Sequence, residues 1–165
     1  MTENTRRVVI TGLGIVSPVG STVNKAWDNI KNGVSGIRKI NSFDASAFSV
    51  QISGSVIDFN ADDYITPKDQ RKMDTFIHYG IGASVMAIED AGLEITDQNR
   101  DRVGISIGSG IGGLPYIERN YGNFLEKGPR KISPYFVPSS IINMVSGNLS
   151  IMYGITGPNM SLVSA

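Results

Sequence analysis

Apolar residues along this chain recur at two spacings, and the switches between them lay out the predicted elements. Residues 6–12 (RRVVITG) form a short β-branched run closed by glycine and predict a buried strand. Residues 12–20 are a turn-rich loop. Ser21 or Thr22 can cap the helix that follows, where Val23, Ala26, Trp27 and Ile30 recur at helical spacing and Gly33 stops the pattern. Strand, loop and helix in this order open a parallel α/β sheet. Residues 34–49 read as irregular, and the alternation over 51–57 predicts a second strand. At 66–69 a capping threonine precedes proline and then an acid, a strong helix start. From there one helix is expected to run to Gly92. Met73, Phe76, Ile77, Gly80, Ile81, Ser84, Ile88 and Ala91 would line its packed face, whose small residues predict close approach to a neighbour. Residues 102–108 predict another buried strand and 114–125 another helix, with a proline-punctuated loop over 127–138. Ser139 or Ser140 is placed to cap a helix over 141–153, apolar on most sides and therefore expected to be buried. A turn at Gly157, Pro158 and Asn159 leads into the apolar run 160–165, predicted to be a buried strand. Domain ends are usually polar and free to fray. The apolar run still in progress at Ala165 reads as the front part of something larger.

Composition narrows the classes. The chain has 165 residues, 41% hydrophobic and 18% charged, which suits one domain with much buried surface and contacts to other chains. Lys plus Arg and Asp plus Glu number 15 each, so no global charge points to nucleic acid or to an anionic membrane. Any electrostatic partner has to be read from local clusters. The absence of cysteine excludes disulfides and thiolate metal sites in this sequence, and one histidine cannot form a histidine metal cluster. The first residues lack a signal peptide's apolar core, and no apolar run approaches membrane-spanning length. The chain reads as soluble and cytoplasmic, with no metal and no cofactor.

Four features carry candidate chemistry. Gly108, Gly110 and Gly113 fit G-x-G-x-x-G between a strand and a helix, the pattern that brings pyrophosphate to a helix N-terminus. A dinucleotide site also needs a second strand soon after the helix, ending in an acid, and a proline-rich loop stands there instead. The competing reading is a loop kept thin so that something can pass close by. His78 lies beside the apolar stripe with no orienting partner or nucleophile nominated, and reads as a helix-flank histidine. Lys68, Arg71 and Lys72 form one cationic cluster and Arg130 with Lys131 a second; these are either solvated faces or a dock for an acidic protein or a phosphate. Tyr135, Phe136 and Val137, between two prolines, either plug their own core or reach into a pocket or a partner chain.

Five stretches taken together resemble one family: RRVVITGLGIVSPVG (6–20), QRKMD (70–74), IGSGIGG (107–113), GPRKISPYFVPS (128–139) and IMYGITGP (151–158). The resemblance is to the β-ketoacyl-acyl-carrier-protein synthases of type II, the elongating condensing enzymes of bacterial fatty-acid synthesis, and it runs in order along essentially the whole chain. It implies an α/β, thiolase-like fold, layered αβαβα when complete, with a mixed sheet flanked by helices. Residues 1–165 would be the N-terminal half, ending within its last strand. It implies decarboxylative condensation of an acyl-enzyme thioester with malonyl carrier protein by a Cys-His-His site assisted by a lysine. The nucleophile is expected directly after Ala165, so this chain would hold no catalytic residue and be inactive alone. The resemblance further implies that Ile111, Phe136 and Ala165 adjoin the acyl chain, Phe136 by reaching across a homodimer. Lys68, Arg71, Lys72, Arg130 and Lys131 would receive acyl carrier protein, and the terminal strand would pair with its twofold mate. The other expected partner is the missing C-terminal half. A non-catalytic carrier-binding or oligomerisation module is the alternative, and a dinucleotide-binding domain a third reading.

Overall fold

The computed structural model describes residues 6–163. Thr22 caps helix α1 (Val23–Lys31) by accepting from the Lys25 N–H, while Ser21 instead donates to Asp58 Oδ1 at 2.7 Å. Strands β1 (Arg38–Lys39) and β2 (Ile52–Ser53) pair antiparallel, so only two residues of the run 51–57 are strand. There follow helices α2 (Pro67–Gln70) and α3 (Thr75–Asp90), strand β3 (Ile105–Gly108), helices α4 (Leu114–Lys127), α5 (Phe136–Ser140) and α6 (Met144–Tyr153), and strand β4 (Asn159–Leu162). The chain is α/β, with its strands in two separate sheets, β1–β2 antiparallel and β3–β4 parallel.

The single helix expected from 66 to Gly92 is two helices, and Asp74 is the reason. Its Oδ1 accepts the Thr75 N–H at 2.7 Å, which starts α3, and its Oδ2 accepts the Tyr116 N–H at 3.0 Å in the first turn of α4. A side chain that accepts backbone N–H groups belongs at a helix N-cap rather than in a helix interior. Asp74 is buried, so the join is shielded from water.

The core lies where α3 crosses α6. Ile65, Ile77, Ile81, Val85, Val145 and Leu149 form one buried cluster, with Met73, Phe76, Ile105, Ile107 and Met144 packed around it. Burying each of the larger aliphatic side chains contributes about 1.5–3 kcal/mol. The small face of α3 does meet close neighbours. A Cβ on Gly80 would stand 2.5 Å from Val145 Cγ1, and Cβ atoms on Gly12 and Gly14 would overlap the carbonyl oxygens of Ala87 and Ala83. The loop 12–14 is thus laid directly on the α3 backbone, fixed by the Leu13 N–H donating to Asp90 Oδ2 at 2.8 Å.

Several expectations drawn from periodicity are corrected. Residues 6–12 pair with no described strand, and Val8 and Ile10 are 91% and 83% exposed. An apolar run becomes a buried strand only when a neighbour supplies its hydrogen bonds and covers its faces, and no described element does so here. For the same reason β4 is not buried: β3 flanks one edge and α6 touches it, yet Met160 and Leu162 stay exposed. The rest of the predicted run, Ser164 and Ala165, lies outside the described residues. On α1 only Ala26 is buried, and Trp27 and Ile30 are exposed. Helix α6 starts at Met144 rather than at 141 and buries one face, leaving Ile151 and Met152 exposed. Ser139 and Ser140 do not cap it; their hydroxyls donate to the carbonyls of Lys72 and Phe136, each at 2.6 Å. The loop 127–138 contains a 3-10 turn, Pro129–Lys131, and the start of α5.

The exposed surface is 11,672 Å² for 17.7 kDa. A self-contained domain of that mass exposes about 8,000 Å². The uncovered residues 6–12 and β4 contribute to that excess.

Replacing Asp74 by alanine should destabilise the chain by about 2–4 kcal/mol, because it removes a helix cap and strands a second, buried N–H. Asp74→Asn, which keeps one acceptor oxygen, should cost less. Urea-unfolding midpoints check both, and equal midpoints for wild type and Asp74→Ala would remove Asp74 as the joint.

Candidate functional site

Two of the predicted cations meet in one place. Arg71 follows α2, Lys131 closes the turn Pro129–Lys131, and both line a polar cleft of about 530 Å³ with His78, Tyr116, Arg119, Asn123 and Ser133. The structure does not bring the other three into this cleft. Lys68 and Arg130 are exposed beside it. Lys72 faces the adjoining hollow of about 470 Å³, with its Nζ 2.6 Å from Asp69 Oδ1 and 6.0 Å from the centre of the Tyr135 ring. Asp69 is itself set by the Thr66 cap, whose hydroxyl donates to Asp69 Oδ2 at 2.8 Å. The hydrogen bond from Lys72, and then that from Thr66, hold the Asp69 carboxyl below the usual aspartate range; the same contact with Asp69 raises Lys72.

Phe136 also finds its setting. Five residues of α4 and the following turn, Ile117, Asn120, Tyr121, Phe124 and Ile132, join it around an almost wholly apolar hollow of about 290 Å³. Ile111, at the tip of the glycine loop, is 70% exposed and lines none of these hollows. Ala165 lies outside the described residues. His78 is no longer without a partner: its Nε2 lies 3.2 Å from the Gln70 carbonyl, to which it can only donate, and this ties α3 to α2.

The glycine loop is thin for a packing reason. Gly112 has φ +98°, and a Cβ there would overlap the Ser140 carbonyl, which also accepts the Gly113 N–H at 3.0 Å. The start of α4, where a pyrophosphate would sit, already holds Asp74 Oδ2 against the Tyr116 N–H. After α4 comes the turn Pro129–Lys131 and not a strand. The dinucleotide reading therefore loses both its anion site and its second strand. Arg119 and Asn120 lie outside every motif, and Asp74, within the stretch 70–74, is given no role by it. Asn120 is buried, accepting the Ser133 N–H and donating to the Tyr116 carbonyl, each at 2.8 Å. The only signal the sequence offers for it is a polar residue set among Ile117, Tyr121 and Phe124 at helical spacing.

Among the described residues no helix is long and apolar enough to cross a membrane.

Solved structures that share this fold include ketosynthases, which places the chain in the thiolase-like α/β class. The ishigamide ketosynthase/chain length factor superposes with a TM-score of 0.83 at 26% identity, covering 96% of this chain and 40% of its own. A chain of the AntDE:AntF complex, a type II PKS acyl-carrier protein with its ketosynthase, gives 0.77 at 27% identity, over 96% and 41%. Within that class the chain belongs to the beta-ketoacyl synthase family, whose N-terminal domain matches residues 5–165. It is 56% identical over 160 residues to 3-oxoacyl-[acyl-carrier-protein] synthase 2 of Vibrio harveyi, covering 97% of this chain and 39% of that protein. The namesake from Staphylococcus aureus (strain N315) is 45% identical over 165 residues, the whole of this chain and 40% of its own. The chain thus spans about two-fifths of the length of these curated relatives.

The Asp69–Lys72 contact has a measurable signature. The lowered Asp69 value means that its contribution to stability is complete at neutral pH and is lost as pH falls through that value. The Asp69 carboxyl carbon should titrate below the ordinary aspartate value of 3.8, and the midpoint should move upward in Lys72→Met. An unmoved midpoint in an NMR titration would show that Lys72 and Asp69 are not engaged.

Proposed function

We propose that this chain is the N-terminal portion of a 3-oxoacyl-acyl-carrier-protein synthase, and that it supplies the docking face and part of the acyl pocket of that enzyme. The observation that carries this reading is the placing of unpaired cations beside an apolar hollow. Arg71 and Lys131 line the polar cleft, and Phe136 with Phe124 and Ile117 lines the apolar one. Asn120 lines both. A carrier protein presents an acidic surface together with an acyl tail, and these two hollows suit the two parts of such a substrate. The names of the curated relatives, and the acyl-carrier protein held with its ketosynthase in the AntDE:AntF complex, support the same partner.

In this reading a cysteine supplied beyond residue 165 takes the acyl group from its carrier as a thioester. Malonyl carrier protein then docks on the same face and loses carbon dioxide. The resulting carbanion attacks the thioester carbonyl, forms the new carbon–carbon bond and releases the cysteine thiolate. Two histidines and a lysine, also outside this chain, assist. The residues present here bind and orient: Arg71, Lys131, Lys68, Arg130 and, once released from Asp69, Lys72 steer the carrier, while Ile111, Phe136 and Ala165 border the alkyl chain. No redox cofactor or metal takes part, and the enzyme works in the cytoplasm. The uncovered face of residues 6–12 and β4 is closed by the remaining half and by a twofold mate, which completes the layered αβαβα fold. The free outer edge of β4 among the described residues also suits the second reading, a binding or oligomerisation module without chemistry.

Supplied alone with acyl- and malonyl-carrier protein, the 165-residue chain should form no β-ketoacyl product by mass spectrometry. In the intact protein, Arg71→Glu and Lys131→Glu should each raise the KM for carrier protein roughly tenfold with little change in kcat, the pattern of lost uniform binding. Unchanged KM in both variants would overturn the docking assignment, and turnover by the isolated chain would overturn the placing of the nucleophile.

A further inference from the structure

The cationic residues on this face differ in how far they are already engaged, and the difference singles out one that no motif contained. Lys72 is paired with Asp69. Among the described residues Arg71, Arg119 and Lys131 form no ion pair, and they come from three separate segments, the α2–α3 junction, α4 and the turn Pro129–Lys131. All three line the same cleft. The one carboxyl group lining it is that of Asp74, whose two oxygens are taken by backbone N–H groups. The cleft therefore gathers positive charge with no free acid of its own to neutralise it.

Arg119 is also held in position. Its guanidinium carbon lies 4.7 Å from the centre of the Tyr116 ring. Tyr116 is buried, and its hydroxyl donates to Ser133 Oγ at 2.9 Å. A guanidinium lying on an immobile ring loses less side-chain freedom when it takes a ligand, and its planar fork suits a carboxylate. Arg71 and Lys131 have no such platform.

We infer that Arg119 is the principal anchoring cation of the carrier-docking face, with a carboxylate-bearing segment of the acidic carrier protein entering the cleft between Arg71, Arg119 and Lys131. The inference rests on the docking reading above and deepens it. Charge complementarity selects the occupant: the cleft is polar, lined by unpaired cations, and continuous through Asn120 with the apolar hollow that would take the alkyl tail.

The test is the affinity of the intact protein for acyl carrier protein across a salt series. Arg119 is exposed, so Arg119→Gln should fold normally, which a thermal melt verifies. It should weaken binding about tenfold at low salt and flatten the salt dependence, whereas Lys31→Gln, on α1 and outside the docking face, should change affinity less than twofold. Arg119→Lys should recover only part of the loss, since it keeps the charge without the stacked fork. If Arg119→Gln binds like wild type while Arg71→Glu is weakened, the docking face stands and the anchoring role of Arg119 is overturned. If Arg119→Gln, Arg71→Glu and Lys131→Glu all bind like wild type, the docking reading itself fails.

Discussion

Everything in the described part of this chain that bears on a site hangs from one buried side chain. Asp74 accepts the backbone N–H groups of Thr75 and Tyr116, so the first turns of α3 and α4 meet at a single residue. Each N–H is an orphan donor that a helix start must satisfy, and leaving one unpaired in the interior costs about 1–3 kcal/mol. One short side chain meeting both demands leaves the helices little freedom to shift. Ser139, fully buried, adds a second tie by donating to the Lys72 carbonyl, and the Ser140 carbonyl holds Gly113. The cationic junction, α5 with Phe136 and the glycine loop with Ile111 are thereby parts of one hydrogen-bonded knot.

The knot explains why the two hollows have different character although they share α4. The side of α4 facing the α2–α3 junction carries Arg119 and Asn123, with Ser133 beside them, and its other exposed side carries Ile117, Tyr121 and Phe124. Asn120 sits between them, its amide spent on the Tyr116 carbonyl and the Ser133 N–H. A charged cleft and an apolar hollow lie side by side and suit the proposed carrier-borne acyl substrate. Each of these surfaces would be weak alone, because exposed ion pairs contribute little and an open hollow of 290 Å³ covers only part of a ligand.

The rest of the surface is unfinished in a physical sense. A small core at the crossing of α3 and α6 holds the described residues, while the exposed area is nearly half as large again as a closed domain of this mass would show. Exposed apolar side chains such as Val8, Ile10, Met160 and Leu162 contribute to that area. Two-fifths coverage of the curated relatives accords with that.

The residue pattern by itself determined the α/β character, the helices at 23–31, 75–90 and 114–127 and the family, because spacing, caps and short motifs are local properties. The Thr66 cap, the helical spacing after Thr22 and the stop at Gly92 all follow from residues within one turn of each other. It also determined which cations and aromatics were candidates. It could not determine that residues 66–91 break at Asp74, since the cause is an N–H 42 residues away on another helix. Nor could it show that Arg71 and Lys131 share a cleft while Lys72 is tied to Asp69, or that Arg119 lies among them. Residues 6–12 carry a strand pattern but meet no hydrogen-bonded neighbour among the described residues, and residues 160–162 pair with β3 yet stay exposed on their faces, because a pattern states a preference that only neighbouring elements can fulfil. Those contacts between segments distant in sequence were decided by the tertiary structure alone.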